Sequence, residues 1–60
     1  MTNAQKKNIE ALKAEFTHVE FCSEFPKNWG KIGSREQIGS YTYVCVGRSE
    51  KGRCIVYRCK

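Results

Sequence analysis

The sequence predicts an α+β fold: one N-terminal helix packed on a small three-stranded, mostly antiparallel sheet with a C-terminal hairpin. Three observations carry this. Apolar residues recur at helical spacing over residues 3–16 and at a spacing of two over residues 17–25, and two β-rich runs, 41–46 and 53–59, flank a turn bounded by Gly47 and Gly52. Sixty residues are expected to form a single domain, residues 1–60. A core of that size seldom supplies more than about 3–5 kcal/mol, so every local device that aids folding counts.

In the helix, Ile9, Leu12 and Phe16 form one narrow apolar stripe, while Lys6, Lys7, Glu10 and Lys13 lie mostly elsewhere. Thr2 with Gln5 three places on reads as a capping box, with Asn3 as the alternative cap. Ala4, Ala11 and Ala14 add helix propensity. So narrow a stripe needs a sheet to cover.

Strict alternation over residues 17–25 puts Val19, Phe21, Ser23 and Phe25 on one face, and His18, Glu20, Cys22 and Glu24 on the other, until Pro26 removes a donor and ends the run. Residues 27–40 carry Gly30, Gly33, Gly39, Asn28, Ser34 and Ser40 and read as a long loop. A connection of that length is usually functional or mobile. Trp29 and Ile38 are expected to pin it, with a short helical turn over residues 34–37 capped by Ser34.

The register of the C-terminal hairpin has two solutions, because a one-residue slip exchanges the faces of a strand. A four-residue loop places Val44, Val46, Ile55 and Tyr57 together, with Tyr41, Tyr43, Cys45, Cys54, Val56 and Arg58 opposite. A three-residue loop instead joins Tyr41, Tyr43 and Cys45 to Ile55, Tyr57 and Cys59. The first keeps Arg58 off the aliphatic face and is the one expected.

Four cysteines in so short a chain raise three readings. His18, Cys22, Cys45, Cys54 and Cys59 are zinc-ligand types, but structural zinc favours two close pairs, and Cys54 and Cys59 are spaced too widely. Disulfides would pair Cys45 with Cys54 across the hairpin and leave Cys22 for Cys59, one of three pairings open. The plainest reading is free thiols acting as small buried hydrophobes. No metal and no cofactor is expected.

Eleven Lys and Arg face six Glu and no Asp, a net charge of +5. That charge draws a protein toward polyanions and acidic protein surfaces, although scattered cations also serve solubility alone. With one His, no paired carboxylates and no Gly-rich phosphate loop between a strand and a helix, the chain offers no catalytic constellation and is not expected to be an enzyme. The longest apolar run is Val44-Cys45-Val46, too short for a membrane span, and no secretory signal precedes it. With Met1 in place the chain reads as a complete cytoplasmic product with reduced thiols.

Function is therefore expected to lie in binding. Lys27, Trp29, Lys31, Tyr41, Tyr43, Arg53 and Arg58 have no obvious place on the Ile9–Leu12–Phe16 face and form the candidate contact surface. Trp, Tyr and Arg dominate protein–protein hot spots. The expected partner is an acidic protein surface, with an inhibitory or regulatory outcome. Nucleic acid is the alternative, because aromatics interleaved with cations also suit single strands. No membrane partner is expected, and a bare sheet edge leaves monomer and homodimer both open.

Overall fold

The helix begins where its cap predicts. In the computed structural model, which describes residues 2–60, α1 spans Asn3–Glu15. The Thr2 hydroxyl accepts the Gln5 amide N–H at 3.1 Å, and Gln5 Oε1 accepts the Thr2 N–H at 3.4 Å, which completes the capping box. At the other end Phe16 leaves the helix in extended geometry while its N–H still reaches the Leu12 carbonyl. Glu15 sits unfavourably at the negative end of the helix dipole. The Arg35 fork grips it at 2.5 and 2.8 Å and holds its carboxyl below the ordinary range, and the same guanidinium lies 5.6 Å from the centre of the Phe16 ring.

Four strands follow: β1 (Val19–Phe25), β2 (Arg35–Ile38), β3 (Tyr41–Arg48) and β4 (Cys54–Cys59). They form one antiparallel sheet in the order β1-β4-β3-β2. The α+β fold is as expected, with one strand more than three. β2 replaces the expected loop and helical turn, pairing Arg35 with Val44 through Ile38 with Tyr41. Its connection to β3 is the two-residue turn Gly39-Ser40, with Gly39 at φ +62. Glycine at the first position of a two-residue hairpin turn is the type II′ signature, and it matches the twist of the flanking strands.

Both neighbours of β4 bulge beside Val56, one residue apart. The β3–β4 register shifts between Cys45 and Gly47, and the β1–β4 register shifts between Phe21 and Ser23. An extra residue in one strand changes the phase of everything beyond it. Near the turn, Arg48 faces Cys54 and Gly47 faces Ile55; beyond the bulge, Val44 faces Tyr57 and Cys45 faces Val56. The turn end thus has the phase of the three-residue loop, and Val46 restores the face assignment of the four-residue one. Gly52, at φ +79, takes the left-handed position in that turn and its N–H bonds the Ser49 carbonyl.

The sheet consequently buries residues on both sides. Facing the helix, Ile9, Leu12, Val44, Val46 and Cys59 are buried, with Phe16, Val19, Ile55 and Tyr57 packed around them. Each large aliphatic side chain so buried contributes about 1.5–3 kcal/mol. On the outer side Cys45, Cys54 and Val56 are buried beneath Cys22, Phe25, Trp29 and Tyr43. Phe25 belongs to this outer cluster, not to the face of Val19 and Phe21, because the β1 bulge reverses its phase. Two polar staples tie helix to sheet: Asn8 Nδ2 donates to the Val46 carbonyl at 2.9 Å and Gln5 Nε2 donates to the Arg48 carbonyl at 3.2 Å. Among the described residues no helix is long and apolar enough to cross a membrane.

Candidate functional site

Among the described residues no helix lies over the outer face of the sheet. Residues 26–34 cover its turn-proximal half instead. This segment is strung along β3 by the Gly33 N–H to the Cys45 carbonyl, 2.8 Å, and the Cys45 N–H to the Ser34 carbonyl, 3.1 Å. Its start is a turn closed by the Trp29 N–H on the Pro26 carbonyl, and Ser34 Oγ accepts the Lys31 N–H at 2.8 Å. Arg48 holds the whole in place. Its guanidinium donates to the carbonyls of Lys27 at 2.6 Å, Gly30 at 2.8 Å and Gly52 at 3.0 Å, so one side chain joins this segment to the hairpin turn. The planar fork of arginine suits several acceptors at once, where a lysine could serve only as a point charge.

Aromatic rings run along this face. Trp29 meets Phe25 edge-on with centroids 5.2 Å apart, and Phe25 lies 6.3 Å from Tyr43. Beyond Tyr43, Arg58 lies 4.9 Å from the centre of the Tyr41 ring and Lys60 lies 5.6 Å from it. Trp29, Tyr41 and Tyr43 are each half-buried, so the core holds part of each ring and solvent reaches the rest. Such contacts with cations are worth about 0.5–1 kcal/mol at exposed sites.

The seven residues singled out from the sequence divide into two groups. Tyr41, Tyr43 and Arg58 share the open end of the outer face, with Glu36 and Arg58 paired across from Tyr43 on either side. Lys27, Trp29 and Arg53 lie at the turn end, and Lys31 is exposed on the segment between. The two arginines of the set are held by carboxylates: Arg58 Nε meets Glu20 at 2.7 Å, and Arg53 Nε lies 3.8 Å from Glu24 while its Nη2 donates to the Glu24 carbonyl. The bond to Glu20 also makes Arg58 still harder to deprotonate. Phe25, Lys51 and Lys60 join the surface without having been singled out for it. The bulge hides Phe25 from the sequence, while Lys51 and Lys60 are visible there as cations interleaved with the hairpin tyrosines.

The cysteines are four free thiols. Cys45 lies opposite Val56 and not opposite Cys54, and Cys59 faces the helix while Cys22 belongs to the outer cluster. Cys45 donates to the Gly47 carbonyl and Cys54 to the Gly30 carbonyl, at 3.4 and 3.3 Å. Among the described residues no group of His, Cys, Asp or Glu is placed to hold a metal ion. Burial, and then the adjacent Cys54 thiol, push Cys45 up from the ordinary thiol value of 9.0, and burial likewise pushes up Cys59.

A folded-state pKa above the unfolded one means that the unfolded chain loses its proton first. The associated stability is present below pH 9.0 and declines as pH rises past it through the raised folded values. Chemical denaturation across an alkaline series is therefore expected to show stability falling above about pH 9. Variants Cys45→Ala and Cys59→Ala should each flatten that slope, and a wild-type curve level through this range would contradict the burial of these thiols.

Comparison with known proteins finds no matching family model, no matching curated protein and no matching solved structure.

Proposed function

We propose that this chain is a small, non-catalytic binding module that regulates or inhibits a partner protein by seating the outer sheet face against an acidic surface. The observation that carries this reading is the division of charge over that face and the turn end beside it. Arg53 and Arg58 are occupied by Glu24 and Glu20, whereas among the described residues Lys27, Lys31, Lys51 and Lys60 form none of the ion pairs. Glu20 and Glu24 interrupt the positive charge, which disfavours the long unbroken contact a phosphate backbone makes but leaves local clusters of free lysines for the carboxylates of a protein surface. The half-buried rings of Trp29 and Tyr43 supply rigid anchors whose ordering cost is already met by the fold.

Nucleic acid is the second reading, favoured by Tyr41 lying beneath both Arg58 and Lys60. A base stacked on such a ring contributes about 1–3 kcal/mol. The two separate by salt. Contacts to several phosphates weaken with a slope of roughly −0.7 per phosphate for single strands.

The test is affinity capture from nuclease-treated lysate, with wild type beside Trp29→Ala and Tyr43→Ala variants whose folding is checked by circular dichroism. A stoichiometric protein captured by the wild type and bound at least about tenfold more weakly by each variant is expected. Equal capture by all three would remove the outer face from the contact. A gel shift with single-stranded oligonucleotides at low salt that is lost with either substitution would reverse the order of the two readings.

A further inference from the structure

We infer that the groove lined by Pro26, Lys27, Asn28, Lys51 and Arg53 is the anchoring site for an acidic peptide segment of the partner, one presenting several carboxylates in succession. This rests on the binding reading above and names the chemistry of its tightest contact. Three observations converge on this groove. Its lining carries three cations and no carboxylate, in a volume of about 530 Å³ that accommodates a few side chains. By contrast, the groove between α1 and β1 mixes Lys6 and Lys13 with Glu10 and Glu20 around Ile9 and Phe21, and so carries no single sign of charge.

The second observation is rigidity. Lys27 belongs to the turn after β1, and Lys51 and Arg53 belong to the β3–β4 hairpin, far apart in sequence. Arg48 bonds the Lys27 and Gly52 carbonyls with the same nitrogen, so the two backbones that carry the cations are fixed relative to one another before any ligand arrives. A site arranged in advance does not spend binding energy on ordering itself.

The third concerns the type of anion. Arg53 already donates to the Glu24 carbonyl and sits near its carboxylate, so no arginine fork is free in this groove for bidentate phosphate recognition. Two lysine ammoniums and the Asn28 amide remain; each holds one anionic oxygen at a time, which fits carboxylates spaced along a peptide and gives phosphate no bidentate advantage.

The experiment uses the full chain and a fluorescent oligoglutamate peptide, followed by polarisation at low salt. Wild type is compared with the double variant Lys27→Glu/Lys51→Glu and with Lys6→Glu/Lys7→Glu, which changes net charge equally but on the helix. The groove variant is expected to lose at least about tenfold in affinity, and the helix variant no more than about threefold. Equal losses would mean that only the overall field attracts the peptide, and absence of binding by the wild type would equally overturn the proposal. A single-stranded oligonucleotide that displaces the peptide from the groove at lower concentration than unlabelled oligoglutamate would overturn the choice of ligand. Failure here is distinguishable from failure of the outer-face reading. Peptide binding that survives Trp29→Ala and Tyr43→Ala supports the groove alone, whereas a captured partner that depends on those rings but not on Lys27 and Lys51 removes the groove alone.

Discussion

Gly47→Ala is expected to destabilise the protein by about 2 kcal/mol, or roughly 10 °C in Tm for a domain of this length. A methyl group at Gly47 would lie 2.4 Å from Gln5 Cγ and 2.6 Å from its Nε2. Gln5 is buried, and its Cγ is too near the backbone simply to swing aside. Moving it breaks the bond to the Arg48 carbonyl and the return half of the capping box. Each loss is worth about 1 kcal/mol, and removal of glycine from the unfolded chain returns only part of that. The decisive measurement is a double-mutant cycle by urea denaturation. Gln5→Ala alone should be destabilising, and adding Gly47→Ala to it should cost little more, since the clash has gone. Additive losses would show that Gly47 matters for another reason.

Arg48→Met is expected to lower stability by about 3 kcal/mol, close to all that a core of this size provides. The substitution keeps an unbranched apolar stem and removes only the guanidinium with its three carbonyl contacts. Freed from it, residues 26–34 keep the two bonds to Cys45 but lose their attachment to the hairpin turn. Trypsin should then cut after Lys27 and Lys31 much faster than in wild type, at a temperature where far-ultraviolet circular dichroism still reports the folded sheet. Arg48→Lys should resemble Arg48→Met, because one ammonium cannot reach three separated acceptors. Unchanged cleavage and unchanged stability in both variants would show that the clamp is dispensable.

Local features were legible in the sequence, and those requiring two distant segments were not. Thr2 and Gln5 form the box that their spacing predicts, and Ile9 and Leu12 face the sheet as their periodicity requires. Val44, Val46, Ile55 and Tyr57 share the helix side, as the favoured hairpin register expected. β2 was missed because all four of its residues are exposed, so burial leaves no alternation to read. Its one local sign is Gly39-Ser40, which fits a two-residue hairpin turn but sits among loop-forming residues. The bulges at Cys22 and Val46 are properties of strand pairs, and no single run of residues announces them. Arg48 was visible as a hairpin cation, but its role depends on carbonyls up to 21 residues away. The candidate surface was therefore partly legible: its aromatic and cationic members were named, while the pairing of its arginines and the part played by Phe25 required the fold.

The two register shifts lie on either side of Val56, one residue apart along β4. Extra residues there strengthen local twist on both sides of the same strand. Beyond the offset the helix and its apolar layer set the orientation; on the turn side the hairpin tip is held by Arg48, by the covering segment and by the bond from Gln5 to the Arg48 carbonyl. A change on the helix side therefore reaches the tip through Gln5, whereas the outermost residues of the tip can be reshaped with little effect on what lies under the helix.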